Sequence, residues 1–126
     1  MYLVINFGCS FLDEFYEKFV NNSDLIIRVS DELKTHHCAW PFLSPVDKQQ
    51  FPEYYKYIKH PMDFETCSKK LESSKYVTNE DLYKDIRLIF NNCHKFNEDE
   101  SEVGQAGLTM SCYFDKRYSE LFPRTK

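Results

Sequence analysis

Thr78-Asn79-Glu80-Asp81-Leu82-Tyr83-Lys84-Asp85-Ile86-Arg87-Leu88-Ile89-Phe90-Asn91-Asn92-Cys93-His94-Lys95-Phe96-Asn97 is the stretch from which the fold is read. Its apolar residues Leu82, Tyr83, Ile86, Ile89, Phe90 and Cys93 return at intervals of one, three, three, one and three, which places them on one buried face of a helix. Thr78 and Asp81 have the spacing of a capping box, in which a hydroxyl and a carboxylate each satisfy a backbone amide at the helix start. At the other end, Asn97 suits a helix terminus because asparagine tolerates the left-handed conformation.

The same periodicity recurs on both sides. Ser10 to Val20 carries Phe11, Leu12, Phe15, Tyr16, Phe19 and Val20 opposite Asp13, Glu14, Glu17 and Lys18, which predicts an amphipathic N-terminal helix. After Asn21-Asn22, Ser23 or Asp24 is placed to cap a helix running to about Thr35 with Leu25, Ile26, Val29 and Leu33 inward. Asp63 is placed to cap a helix from Phe64 to about Ser73, with Phe64, Cys67 and Leu71 inward. A last helix is expected from about Val103 to Leu121, with Val103, Ala106, Met110, Tyr113, Phe114 and Leu121 apolar. No segment alternates as a strand does, so the chain reads as all-α, a four-helix bundle with a long first connection and an extra N-terminal helix. Periodicity does not give the handedness of such a bundle.

That first connection, Trp40 to Pro61, contains Pro41, Pro45, Pro52 and Pro61, each of which removes an amide donor and restricts its predecessor. About 20 residues without a long helix inside a small domain point to a functional loop. Its aromatics, Trp40, Phe42, Phe51, Tyr54, Tyr55 and Tyr57, predict that it is ordered by packing.

A length of 126 residues bounds the chain to about one domain. The net charge of −4 disfavours phosphate backbones as the main partner and suits a basic peptide, leaving nucleic acid a minor role for Lys69, Lys70 and Lys75. Cys9, Cys38, Cys67, Cys93 and Cys112 are odd in number and scattered, which predicts a reducing compartment rather than a disulfide framework. The apolar start, Met1 to Leu12, lacks a leading basic stretch, falls short of the roughly 18 residues a bilayer needs, and is followed by Asp13-Glu14, so neither a signal peptide nor a membrane anchor is expected.

Catalytic signatures are missing: the chain has no GxxxxGK, GxSxG or HExxH. His36, His37 and Cys38 are contiguous, and side chains of successive residues are expected to diverge, which argues against a nucleophile with its base. Cys93-His94 shares that defect, and Cys93 falls on the apolar stripe. The four His and five Cys show no ligand spacing on any one element, and the acidic run from Glu98 to Glu102 lacks the order of an EF-hand. Neither an enzyme nor a metal site nor a cofactor is expected.

Trp40-Pro41-Phe42, Pro52-Glu53-Tyr54-Tyr55, Pro61-Met62-Asp63 and Asn92-Cys93-His94-Lys95-Phe96-Asn97, in this order, resemble a bromodomain, over roughly Asp24 to Leu121. The resemblance implies a left-handed bundle of four helices whose loops form a pocket for acetylated lysine. On that resemblance the side-chain amide of Asn97 donates to the acetyl carbonyl, and Tyr54 reaches the same oxygen through a water. Trp40, Pro41 and Phe42 form the shelf at the pocket mouth, with Phe42 also facing the acetyl methyl. Val46 forms the aliphatic loop wall, Val103 the gatekeeper, and Phe96 packs beneath. Read singly, Asn97 is equally a helix cap, and Val46 and Val103 equally core.

The run Phe96-Asn97-Glu98-Asp99-Glu100-Ser101-Glu102-Val103-Gly104-Gln105-Ala106-Gly107, with Pro61-Met62-Asp63-Phe64, is most similar to bromodomain-adjacent-to-zinc-finger proteins, subunits of chromatin-remodelling complexes. The domain limits expected are 1–22 for an N-terminal extension, 23–123 for the bromodomain and 124–126 for a tail. The implied function is a nuclear, monomeric reader of acetylated histone tail peptides, of micromolar or weaker affinity, that recruits a chromatin-remodelling complex through its parent protein. The alternative is a helix-binding scaffold acting through Ser10 to Val20, independent of acetyl-lysine.

Overall fold

Helices α1 (Asn22–Lys34), α3 (Phe64–Glu72), α4 (Asn79–Phe96) and α5 (Glu102–Leu121) form the bundle in the computed structural model, which describes residues 22–123. A 3-10 turn (Trp40–Phe42) and the short helix α2 (Tyr54–Tyr57) sit within the long connection between α1 and α3. The expected N-terminal helix, and with it the scaffold alternative, lies outside the described residues. No helix among the described residues is long and apolar enough to cross a membrane.

The caps explain where the helices start. The Asp63 carboxylate accepts from the Thr66 N–H at 2.9 Å and from the Thr66 hydroxyl at 2.7 Å, starting α3. Thr78 and Asp81 form the capping box of α4, and donation by the Thr78 and Val77 amides holds the Asp81 carboxyl below the usual carboxylate range. Ser101, not singled out by periodicity, caps α5 by accepting from the Gly104 N–H at 3.0 Å. Two expectations change. Helix α1 starts at Asn22, one residue ahead of the expected caps, so Ser23 and Asp24 fall within its first turn. Asn97 is extended, at φ −104° and ψ 144°, so its helix-end position does not use the left-handed conformation.

Helices α4 and α5 pack on each other and on α1, while α3 reaches the core chiefly through α4. Val29, Leu33, Ile86, Met110 and Phe114 are completely buried at their centre. Burial of each such side chain is worth about 1.5–3 kcal/mol, the main favourable term for a domain of this size. At Gly107 a Cβ would lie 2.5 Å from Cys93 Sγ, so the missing side chain sets how closely α5 approaches α4.

Polar clamps tie the helix pairs outside this core. Arg117 donates to both Glu32 carboxylate oxygens, at 2.7 and 2.9 Å, joining α5 to α1. Lys70 and the Tyr76 hydroxyl both donate to Asp85 Oδ2 at 2.6 Å, holding α3 and the following loop on α4.

The long loop is ordered, but only part of its aromatic set does the packing. Phe42 and Tyr54 are buried and Tyr55 is half-buried, whereas Trp40, Phe51 and Tyr57 are more than half exposed. This division arises because the loop passes over one end of the bundle and presents only one of its sides to the core.

Candidate functional site

The loop and the facing ends of α4 and α5 enclose a narrow cavity of about 50 Å³. A cavity needs about 10–15 Å³ to hold one water, so this one has room for more than a single water-sized group. Pro41, Phe42, Ser44 and Val46 line it from the first limb of the loop, and Tyr54, Met62 and Asp63 from the second. Ile89 and Cys93 of α4, Asn97 at its end, and Val103 of α5 complete the lining.

Each wall is seated by a specific contact. The Phe42 ring meets Phe90 edge to face at 5.6 Å, which sets the loop's first limb on α4. The Tyr54 ring meets Phe96 at 4.9 Å and Tyr55 at 5.3 Å, also edge to face. The Tyr55 hydroxyl donates to the Val46 carbonyl at 2.5 Å, so one limb of the loop holds the other. Below, the Asn92 side-chain amide donates to the His60 carbonyl at 2.9 Å and pins the loop's exit to α4. Asn92 is buried, so removing this amide would orphan a backbone carbonyl as well.

The polar groups facing the cavity are few. Asn97 is half-buried, and its side-chain NH2 donates to the Cys93 carbonyl at 3.2 Å and to Cys93 Sγ at 3.8 Å. Among the described residues no hydrogen bond engages the Tyr54 hydroxyl. Burial, then the nearby Tyr55, Cys93 and Asp63, push its pKa up to about 12, so it stays a neutral hydroxyl at physiological pH. Burial also raises the Cys93 thiol, with Asn97 opposing and Asp99 reinforcing, which keeps Cys93 a neutral apolar wall rather than a nucleophile. The Asp63 carboxylate is engaged by Thr66 at both oxygens.

Of the residues singled out from the sequence, Pro41, Phe42, Val46, Tyr54, Asn97 and Val103 converge on this cavity. Trp40 does not line it and stands 53% exposed beside Pro41. Phe96 does not line it either, but packs behind Tyr54 and against Tyr57. Sequence reading missed Ser44, Met62, Ile89 and the two anchors Tyr55 and Asn92. The anchor Asn92 did leave a signal, since it is an amide next to Cys93 on an otherwise apolar face, where burial demands a partner.

Residues 98–102 connect two lining residues, Asn97 and Val103. The Ser101 hydroxyl donates to the Glu98 carbonyl at 2.7 Å, and Gln105 donates to the Asp99 carbonyl at 2.7 Å, while the Glu98, Asp99, Glu100 and Glu102 side chains face solvent. Gly104 makes this turn possible: a Cβ there would lie 2.0 Å from the Glu98 carbonyl oxygen, a backbone atom one residue beyond Asn97. Gly104→Ala is expected to destabilise the domain by about 1–3 kcal/mol, since overpacking here must move backbone. Denaturant unfolding reads that cost, and the Asn97 amide resonance reads the displacement; an unchanged midpoint and an unshifted resonance would refute this role for Gly104.

One further arrangement departs from expectation. The side chains of His36, His37 and Cys38, expected to diverge, instead bring their ligand atoms within 4.8 Å of one another. The segment is a turn, not a helix or strand, so successive side chains need not point apart.

The comparisons with known proteins agree with this geometry. The family profile described as "Bromodomain" matches residues 26–109. The chain is 49% identical over 94 residues to bromodomain adjacent to zinc finger domain protein 2B of Gallus gallus, covering 75% of this chain and 4% of that protein. It is 48% identical over 91 residues to the Homo sapiens protein of the same name, covering 72% of this chain and 4% of that one. To protein 2A of Xenopus laevis it is 49% identical over 89 residues, covering 71% of this chain and 5% of that one. The chain thus spans only about one twentieth of these relatives' length. Among solved structures, the bromodomain of human BAZ1A superposes with a TM-score of 0.75 at 29% identity, covering 81% of this chain and 95% of that one. The bundle is a non-enzymatic domain, and the relatives named here belong to the adjacent-to-zinc-finger group. A matched profile over two thirds of the sequence, relatives near one half identical and a shared four-helix architecture together establish that this chain belongs to the bromodomain family.

Proposed function

We propose that this domain reads acetylated lysine on histone tails in the nucleus, and that it brings the chromatin-remodelling complex of its parent protein to them. The observation that carries the reading is that Asn97 and Tyr54 line one narrow cavity together with Phe42, Val46, Ile89 and Val103. Acetylation removes the lysine charge and leaves a neutral amide on an apolar stem. Such a group enters an apolar slot at small cost if its carbonyl finds one good donor, which Asn97 supplies directly and Tyr54 through water. An unmodified ammonium loses its hydration there and finds the nearest carboxylate, Asp63, already engaged by Thr66. Trp40, exposed at the mouth, offers a surface along which the stem and peptide lie.

Only one small group is buried and a flexible peptide must be ordered, so single-site affinity is micromolar or weaker. Calorimetry with acetylated and unmodified histone-tail peptides tests the reading. Binding that requires the acetyl group supports it, whereas equal affinity for both peptides would rule it out.

The solvent-facing carboxylates of residues 98–102 steer basic peptides toward the mouth, an effect on encounter rather than on the bound state. Association of an acetylated, lysine-rich peptide is therefore expected to slow severalfold as salt rises, with dissociation nearly constant. Stopped-flow measurements on a chain carrying Glu98→Gln and Glu100→Gln should show most of that salt dependence gone. An unaltered salt slope would mean that these charges are merely solvated.

A further inference from the structure

The turn that follows α1 gathers three side chains for which the acyl pocket has no use. We propose that His36, His37 and Cys38 form a zinc-binding site, with two imidazoles, one thiolate and a water as the fourth ligand. Their ligand atoms lie within 4.8 Å of one another. Tetrahedral zinc, with Zn–S near 2.3 Å and Zn–N near 2.0–2.1 Å, needs ligand separations of roughly 3.3–3.6 Å, so the widest pair has about 1 Å to close. Side-chain rotation covers that distance, because His37 is exposed while His36 and Cys38 are half-buried.

The turn itself is already held. The Thr35 and His36 amides donate to the Glu32 and Leu33 carbonyls at 3.3 and 3.1 Å, and the Ala39 amide donates to the His36 carbonyl at 3.0 Å. The His36 ring stands edge-on to Tyr113 of α5 at 5.0 Å; its stack on His37, with 18° between the planes, must open on coordination, because each imidazole lone pair lies in its ring plane, and the exposed His37 is the ring free to turn. Little backbone order remains to be created on binding, which favours a site built from only three protein ligands. The donor set selects by softness: imidazole and thiolate suit zinc, whereas magnesium and calcium require oxygen.

The chemistry balances simply. The Cys38 thiol releases its proton to solvent as the Zn–S bond forms, both imidazoles bind neutral, and no group is oxidised or reduced. At present His36 Nδ1 accepts the Cys38 backbone N–H at 3.0 Å. Coordination through Nδ1 replaces that bond, and coordination through Nε2 needs the tautomer that carries its proton on Nδ1. In either mode the Cys38 amide is released, which gives the site a signature besides affinity.

The test uses the whole chain, reduced, with Cys9→Ser and the exposed Cys112→Ser to remove two competing thiols. Cobalt(II) is titrated in and read by thiolate-to-cobalt charge-transfer absorption, then displaced with zinc. One equivalent is expected to bind, the band to vanish in Cys38→Ser, and the Cys38 amide resonance to move on adding zinc. Outer partners of metal ligands alone contribute about 10–100-fold, so His37→Ala should weaken binding at least tenfold. Because His37 is exposed, that variant reports ligand loss even if Cys38→Ser folds poorly. Absence of a thiolate band, a band that survives Cys38→Ser, or affinity unmoved by His37→Ala would each overturn the site.

Discussion

Asn97→Ala is expected to weaken binding of an acetylated peptide by about tenfold to a hundredfold, with Asn97→Phe at the upper end because its ring also fills the cavity. Such a bond is worth about 0.5–1.5 kcal/mol net, and leaving the acyl carbonyl unpaired in an apolar slot costs about 1–3 kcal/mol instead, a range that contains the roughly 1.4–2.8 kcal/mol of this loss. Asn97 also donates to the Cys93 carbonyl within its own helix end, at 3.2 Å, so part of any effect could come from local fraying. That carbonyl already accepts the Asn97 backbone N–H at 2.9 Å, which limits the expected stability loss to about 1 kcal/mol. Calorimetry on wild type and both variants, alongside thermal unfolding, separates the two effects. Affinity retained within twofold in a folded Asn97→Ala chain would mean that the acyl group is anchored elsewhere.

Phe114→Ala is expected to cost about 3–5 kcal/mol of unfolding free energy, a large part of the total for a domain this small. Phe114 is completely buried, and its ring meets Tyr83 at 5.3 Å, Tyr118 at 5.9 Å and Phe90 at 6.2 Å. The Arg87 guanidinium lies over it at 5.2 Å while donating to Ser111 and Asp115, so the truncation also uncovers a charge. Equilibrium denaturation reads the loss. Because Phe114 does not line the acyl cavity, peptide affinity of the folded fraction should stay near wild type. A cost below about 1.5 kcal/mol would show that the α4–α5 seam collapses around the gap, or that Phe114 is not central to it.

Gly104 and Gly107 show how the two readings connect. Both lie on α5, yet neither serves helix formation, where glycine is unfavourable by about 1 kcal/mol relative to alanine. One makes room for the Glu98 carbonyl and the other for the Cys93 side chain, so the same helix that supplies Val103 also sets the depth at which Asn97 stands. Sequence alone marks them only as helix-weakening residues.

The resemblance to bromodomains placed Asn97, Tyr54, Phe42, Pro41, Val46 and Val103 together before any geometry was available, and those residues do converge on one cavity. Trp40, expected on the shelf at the mouth, is exposed outside the lining, and Phe96, expected to pack beneath, supports Tyr54 from behind. At His36-His37-Cys38, adjacency in sequence predicts diverging side chains, which holds along a helix or strand but not in this turn, where the ligand atoms lie within 4.8 Å of one another.

What the sequence by itself determined is the four long helices of the bundle, the caps at Asp63 and Thr78, and the position of Asn97 at the end of α4. These are local matters, since helical periodicity and capping are decided among residues three or four apart. Only the tertiary structure decided how the loop is held, through Tyr55 on Val46 nine residues away and Asn92 on His60 thirty-two residues away. It also decided which aromatics face water and how closely α5 may pass Glu98 and Cys93. Such contacts depend on where two separately formed segments meet, and no periodicity within either segment carries that distance.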